Sequence, residues 1–318
     1  MEDVIAAICK NEAIYPHSIT PLSGGQVNQV YLINESLILR IGGRGDAYQR
    51  FSRETRIIQD LQNQIPIAGI TAFGVYENWV YQIQPYVVGE KLFRVWNGLA
   101  GKKKDDLIRQ LTTCMRTLHA MQFPAFGNAY DPNNTQTSWP AYFDHLFNQT
   151  LQDFRTHHLP FPADLFIDVE QFYDKNKHYL QEDTPCLVHA DLAPGNILVN
   201  DGHITAILDF EYAMAAPREY ELVVIEQFCM YPGDYTEQEF EIYNVTDFAD
   251  YFQRIRRFYP EVFASPHLRQ RIDLYAIVSG IHSFFEWGKE HPGMSADARM
   301  HPVARVANFM VRNGVRLF

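Results

Sequence analysis

Apolar and polar positions alternate in short runs over the first quarter of the chain and recur at helical spacing over most of the rest. Val30-Tyr31-Leu32-Ile33 and Leu37-Ile38-Leu39 flank Asn34-Glu35-Ser36, which predicts a hairpin. Ile70 to Val75 and Val80 to Ile83, separated by Tyr76-Glu77-Asn78, read the same way. Between these pairs Phe51, Ile57, Ile58 and Leu61 share the spacing of one helix face. Leu107, Ile108, Leu111, Met115 and Leu118 predict a buried helix from Asp105 to Met121, with Lys102-Lys103-Lys104 as its solvated start. Pro124 to Pro140 is rich in Asn, Pro, Gly and Thr and predicts a long surface loop. Helical patterning resumes over Tyr142 to His157, Asp164 to Leu180 and most of Leu222 to Phe318.

One stretch breaks the helical pattern. Ile197 to Val199 and Ile204 to Leu208 flank Asn200-Asp201-Gly202, and an Asp-Gly step between β-branched runs is a strong hairpin signal. Such a hairpin sets Asp191 and Asn196 before its first strand and Asp209 after its second, so that three oxygen-bearing side chains meet at one end of a ribbon. Asp201 falls in the turn and points away.

Composition narrows the class. The chain has 318 residues, 47% hydrophobic and 20% charged, as an ordinary globular protein does. A formal net charge of -11 argues against a broad nucleic-acid surface and is compatible with a cationic substrate. Cys9, Cys114, Cys186 and Cys229 are isolated and form no Cys-x-x-Cys pair. No apolar run reaches membrane-spanning length, and the acidic start lacks a secretory profile. The expectation is a cytoplasmic protein with reduced thiols, no nucleic-acid partner and no membrane.

His189-x-Asp191-x-x-x-x-Asn196 followed by Asp209-Phe210-Glu211 parallels the protein-kinase catalytic loop and its metal-binding aspartate. In this variant, with Pro194-Gly195 before the asparagine, the chain resembles the aminoglycoside phosphotransferase family of small-molecule kinases, whose relatives act on choline, homoserine and other small alcohols. It departs from the family at Ala190, where glycine is usual, and at Ala193, where a histidine is often found. The resemblance implies a two-lobed, protein-kinase-like α+β fold, with a small antiparallel-sheet lobe (1–84), a hinge (85–90) and a larger, mainly helical lobe (91–318).

It also implies roles. Gly24-Gly25 alone reads as a turn, or as backbone that lets phosphate approach. Leu22-Ser23-Gly24-Gly25-x-x-Asn28-x-x-Tyr31 resembles the family's nucleotide loop. Arg40 ends a strand where a protein kinase carries its phosphate-binding lysine, and Glu54 on the following helix is placed to orient it by a bidentate pair. Glu77, the competing partner, sits in a turn. Gln84 to Glu90 reads as the hinge, with the Pro85 carbonyl and the Val87 N–H offered to a purine edge; a strand ending at a proline fits those residues equally well. Main-chain contacts of this kind do not separate ATP from GTP.

Asp191 is the candidate base, and Asn196 and Asp209 are the candidate Mg²⁺ ligands. His189 and His119 read as structural, and Glu221 resembles the acid that buttresses the catalytic loop. Glu226, Asp234, Glu286 and Trp287 are weaker candidates for contact with a cationic acceptor, each fitting core or surface better. The expected activity is Mg²⁺-dependent transfer of a γ-phosphoryl group from a nucleoside triphosphate to a hydroxyl of a small acceptor such as an aminoglycoside. The rivals are a metabolic kinase for a choline-like or amino-acid-like alcohol and a nucleotide-binding pseudokinase. A protein-substrate kinase fits less well, because no Ala-Pro-Glu segment follows Glu211.

Overall fold

The computed structural model describes residues 1–22, 28–43, 45–157, 163–235 and 246–290. The first part of the chain runs α1 (Glu2–Asn11), β1 (Ile19–Leu22), β2 (Gln29–Ile33), β3 (Leu37–Gly42), α2 (Ala47–Leu61), β4 (Ala72–Tyr76) and β5 (Trp79–Pro85). These strands form one antiparallel sheet in the order β1-β2-β3-β5-β4. Asn34 and Glu35 both take left-handed backbone (φ 53° and 55°), which turns the chain tightly between Ile33 and its partner Leu37. Ile33, Leu39, Ile41 and Ile83 bury one face of the sheet against Ile5 and Ile8 of α1. Ala47 and Phe51 of α2 meet Val80 from the sheet.

The remainder runs β6 (Glu90–Lys91), α3 (Leu92–Trp96), α4 (Gly101–Ala120), β7 (Gly127–Asn128), α5 (Trp139–His157), α6 (Ala163–Asn176), β8 (Cys186–Val188), β9 (Ile197–Asn200), β10 (His203–Ile207), β11 (Met214–Ala216), α7 (Leu222–Met230), α8 (Ala249–Phe258) and α9 (Leu268–Glu290). A small antiparallel sheet against a larger helical part is the two-lobed α+β arrangement expected. The lower part of α2 (Ile57, Ile58, Leu61) joins the helical lobe's core, and the Ile207 N–H donates to the Pro66 carbonyl at 2.9 Å. The small lobe is therefore packed into the larger one at the strand that leads to Asp209.

Differences from the pattern-based reading have physical causes. The buried helix starts at Gly101, ahead of Asp105: Lys102 and Lys103 face solvent in its first turn, while Lys104 folds back over the Trp96 ring and pairs with Asp250. The expected loop from Pro124 to Pro140 carries β7 and the start of α5, where Trp139 is fully buried among Phe126, Phe143, Tyr220 and Tyr275. A lone buried tryptophan beside a proline has no periodicity to announce it. Strand β4 starts two residues later than expected and α6 ends at Asn176, followed by a short 3₁₀ turn. All four cysteines are buried, and among the described residues no helix is long and apolar enough to cross a membrane.

Candidate active site

β9 and β10 pair as the Asp-Gly step predicts, with Asn200 opposite His203 and left-handed backbone at Asp201 (φ 49°) and Gly202 (φ 80°). One side chain of α4 steadies the turn from outside. Gln110 donates Nε2 to the Gly202 carbonyl at 3.1 Å and accepts the Ile204 N–H on Oε1 at 3.0 Å. Asp201 is exposed at the tip. At the opposite end the hairpin receives the segments that carry the chemistry.

Asn196 Nδ2 donates at 2.8 Å to both the carbonyl and Oδ2 of Asp191. Both partners are acceptors, so the amide must present its nitrogen to them, and Oδ1 points away with no donor among the described residues. Below this pair, Glu221 accepts the backbone N–H of His189 at 2.8 Å and of Ala190 at 3.2 Å. His189 contacts the Leu208 carbonyl through Nε2 at 2.8 Å, and the Leu208 N–H donates to the Asn196 carbonyl at 2.9 Å. The catalytic-loop stretch and the Asp209 stretch are thus laced together. Glu221 and His189 buttress the loop, as the sequence suggested; His119, buried beside Glu221 at 3.7 Å and hydrogen-bonded to Tyr259, belongs to the same scaffold.

Two residues here hold backbone that L side chains rarely adopt: Ala190 at φ 62° and Asp209 at φ 64°. The first explains why glycine is at home between the histidine and the aspartate. The second turns the Asp209 side chain, 39% exposed, into the cleft.

From the small lobe, Arg40 on β3 reaches the same place. Its Nη1 lies 2.7 Å from both oxygens of Glu54 on α2, and Nη2 lies 3.4 Å from Asp209 Oδ1. The expected bidentate fork is therefore divided: one nitrogen serves Glu54 and the other faces the catalytic hairpin. Gln82 Oε1 accepts from Nη1 at 3.3 Å, and Glu54 Oε1 accepts the Phe210 N–H at 3.2 Å. Burial opposes the Arg40 charge, but Glu54, Asp209 and Glu211 outweigh it and hold the guanidinium protonated. Burial pushes the Glu54 carboxyl up and Arg40 pulls it back; with both oxygens at 2.7 Å from the guanidinium the pair is ionised. Glu77, the competing partner, is exposed.

Asp191 and Glu211 are different. Burial, then the negative charge of Asp209, pushes the Asp191 carboxyl up to about 8. Burial and Asp209 push Glu211 up to about 7, against the pull of Arg40 and Arg50. Arg50, Glu211 and Tyr212, a ring 54% exposed beside these carboxylates, were not singled out for the site from sequence. Arg50 Nη1 lies 2.8 Å from Glu211, and no local spacing links positions 161 apart.

Ser23, Gly24 and Gly25 lie outside the described residues, while Asn28 is buried just after them. Pro85 ends β5, and among the described residues no main-chain acceptor takes the Val87 N–H. Gly89 lies against the hairpin, where a Cβ would stand 2.7 Å from Thr205 Oγ1 and 3.2 Å from the Val199 carbonyl. Only a glycine lets the chain cross there. Of the acceptor-side candidates, Glu226 is buried in an ion pair with Arg269, which removes it from any pocket, and the side chains of Asp234, Glu286 and Trp287 lie outside the described residues.

Mg²⁺ takes hard oxygen ligands, one or two from protein and the rest from phosphate and water. Asn196 Oδ1 and the Asp209 carboxylate are oxygens of that kind, and the raised Asp191 and Glu211 carboxyls report negative charge that a cation would relieve. Among the described residues no group of three or more His, Cys, Asp or Glu is placed to hold a metal unaided.

The family model described as the phosphotransferase enzyme family matches residues 18–256. A search of curated proteins finds no match. Among solved structures, a thermostable mutant of aminoglycoside phosphotransferase APH(4)-Ia in ternary complex with AMP-PNP and hygromycin B aligns at TM-score 0.70 and 20% identity, over 97% of this chain and 98% of that one. The ADP-bound aminoglycoside phosphotransferase APH(2'')-Ib aligns at TM-score 0.68 and 15% identity over 98% and 99%. The GDP and kanamycin complex of APH(2")-IIia aligns at TM-score 0.69 and 16% identity over 96% of each chain.

Proposed function

Because the chain belongs to the phosphotransferase enzyme family, we propose that it transfers the γ-phosphoryl group of ATP or GTP to a hydroxyl of a small, cationic amino alcohol, with Asp191 as the base. As a member it is a nucleotide-binding kinase with an alcohol group as acceptor, acting on small molecules. The observation that carries the residue assignment is the meeting of Asp191, Asn196, Asp209 and the Arg40–Glu54 pair at one end of the β9–β10 hairpin.

In this reading Asp191 accepts the acceptor's hydroxyl proton and aims its oxygen at phosphorus, while Asn196 keeps the carboxylate from rotating through the 2.8 Å bond. Arg40 neutralises phosphate charge, with Glu54 fixing its position. Asn196 Oδ1 and Asp209 would hold Mg²⁺, which supplies charge neutralisation along the triphosphate. Pro85 and Val87 hold the purine by main chain at a hinge of 85–90, between lobes spanning 1–84 and 91–318, and Ser23, Gly24 and Gly25 cradle phosphate.

The surplus of carboxylate over cation at the cleft, together with the exposed Tyr212 ring, favours a positively charged acceptor. Relatives crystallised with hygromycin B and kanamycin support an aminoglycoside-like choice. The test is phosphate transfer from ATP and from GTP, with Mg²⁺, to a panel of gentamicin, kanamycin, hygromycin B, choline and homoserine. Transfer to an amine-bearing acceptor, lost in Asp191→Ala, is the expected result; transfer that survives Asp191→Ala removes the assignment of the base.

A further inference from the structure

Glu211 lies two residues past Asp209, and its side chain is only 5% exposed. Its Oε2 accepts Arg50 Nη1 at 2.8 Å and Asn28 Nδ2 at 3.2 Å. Both donors belong to the small lobe, 161 and 183 residues away in sequence. Asn28 belongs to the stretch read as the nucleotide loop, and Arg50 lies one turn before Glu54 on α2. Arg50 is itself held by Asp46, 3.0 Å from its Nε. Gly42 makes room for the inward pose of Asn28, since a Cβ there would stand 3.1 Å from Asn28 Oδ1 and 3.0 Å from the Ala47 Cβ.

The chemistry of the amide decides what Asn28 does. Facing a carboxylate, it must present Nδ2, which leaves Oδ1 buried without a donor among the described residues. A phosphate oxygen is also an acceptor and gains nothing from Oδ1. One Nδ2 hydrogen is committed to Glu211, so the pose that Asn28 brings to the loop is set by that carboxylate.

Resting on the site proposed above, we infer that Glu211 is a positioning residue for phosphoryl transfer. It fastens Asn28 and the Arg50 turn of α2 to the Asp209 segment, so that Asn28 and the Arg40–Glu54 pair are set by one carboxylate.

The experiment uses the full chain and four forms: wild type, Asn28→Asp, Glu211→Gln and the double variant. Asn28→Asp sets two carboxylates against each other and raises the nucleotide KM about tenfold or more, leaving the acceptor KM unchanged. The double variant reverses the bond, with the new glutamine amide donating to Asp at position 28 and Arg50 free to pair with it, and recovers most of the loss. Glu211→Gln alone weakens nucleotide use, and excess Mg²⁺ does not restore it. The inference fails if the double variant is no better than Asn28→Asp, or if excess Mg²⁺ restores Glu211→Gln, which would make Glu211 a metal ligand. ADP affinity of the same four forms, measured calorimetrically without Mg²⁺, reads the clamp even if wild type transfers phosphate to no acceptor tried. Thermal midpoints identify any form that has simply lost its fold.

Discussion

Two buried arginines organise this molecule, and they are partnered in opposite ways. Arg271, on α9 and 1% exposed, pairs with Glu219 and Asp183, donates to Ser265 at 2.8 Å and to the Tyr275 hydroxyl at 3.0 Å. Tyr275 in turn donates to Glu219 and accepts from Trp139, so the cluster is closed by neutral hydroxyl and indole groups. Arg40 faces the cleft instead, with Arg50 as its neighbour across Glu211. Two cations there face Glu54, Asp191, Asp209 and Glu211, two carboxyls are pushed toward neutrality, and Asn28 Oδ1 and Arg50 Nη2 are buried without partners among the described residues. A cluster that holds helices together is saturated. Both clusters hold one cation for every two carboxylates, but the one at the cleft lacks the neutral hydroxyl and indole groups that close the other, and its open polar atoms are what binding relieves.

The comparison breaks first at Asp191. Asp191→Ala lowers the rate of phosphate transfer about 10³-fold, within the span of lost general-base catalysis, while ADP binding followed by calorimetry persists. Next comes the saturated cluster: Glu219→Gln leaves Arg271 charged with too little compensation and lowers unfolding free energy by about 3–5 kcal/mol in denaturant titrations. Kinetic constants of the protein that stays folded do not move. Glu54→Gln does the reverse, lowering transfer about tenfold or more with a smaller loss of stability, because Arg40 keeps Asp209 and Glu211. If both variants behaved alike, the distinction between the clusters would be lost.

A subtler difference is in pH. Asp191 holds a proton up to about 8 in the folded chain, whereas an unfolded aspartate loses it near pH ~4. The native state thus binds more protons between those values, and stability falls as pH rises through that window. The melting temperature of the ligand-free protein should drop from acidic to mildly alkaline pH, with a flatter profile in Asp191→Asn and in the presence of Mg²⁺ and ADP. The smallest expected effect is at Ala190. Ala190→Gly relieves left-handed backbone and raises stability by about 1 kcal/mol, read as a shift in denaturation midpoint.

The sequence made the hairpin legible, and with it Asp191, Asn196 and Asp209, because the Asp-Gly turn, the strands and the functional positions are local to one another. Arg40 and Glu54 were within reach because a strand end and the next helix face are a short step apart. Arg50 and Asn28 gave no such signal for their partner: nothing in the local pattern links an asparagine after two glycines, or a helix arginine, to a carboxylate 183 or 161 residues away. Tyr212 was hidden for a related reason, since aromatic residues are common throughout the chain and only the 3₁₀ turn after Asp209 exposes this one. The start of α5 was missed because a polar, proline-rich stretch precedes it and Trp139 is buried by partners from three other segments.

The buried cysteines have a practical consequence. Cys9 lies in α1, Cys114 in α4, Cys186 in the strand leading to the catalytic loop and Cys229 in α7. Burial pushes the Cys114 thiol up to about 11 and Cys186 up to about 12. Alkylating reagents attack thiolate, so the folded chain should be nearly silent toward them and react only when a segment opens. Peptide-resolved labelling would then act as four separate clocks, showing whether added nucleotide slows the breathing of the strand behind Asp191 more than that of the outer helices.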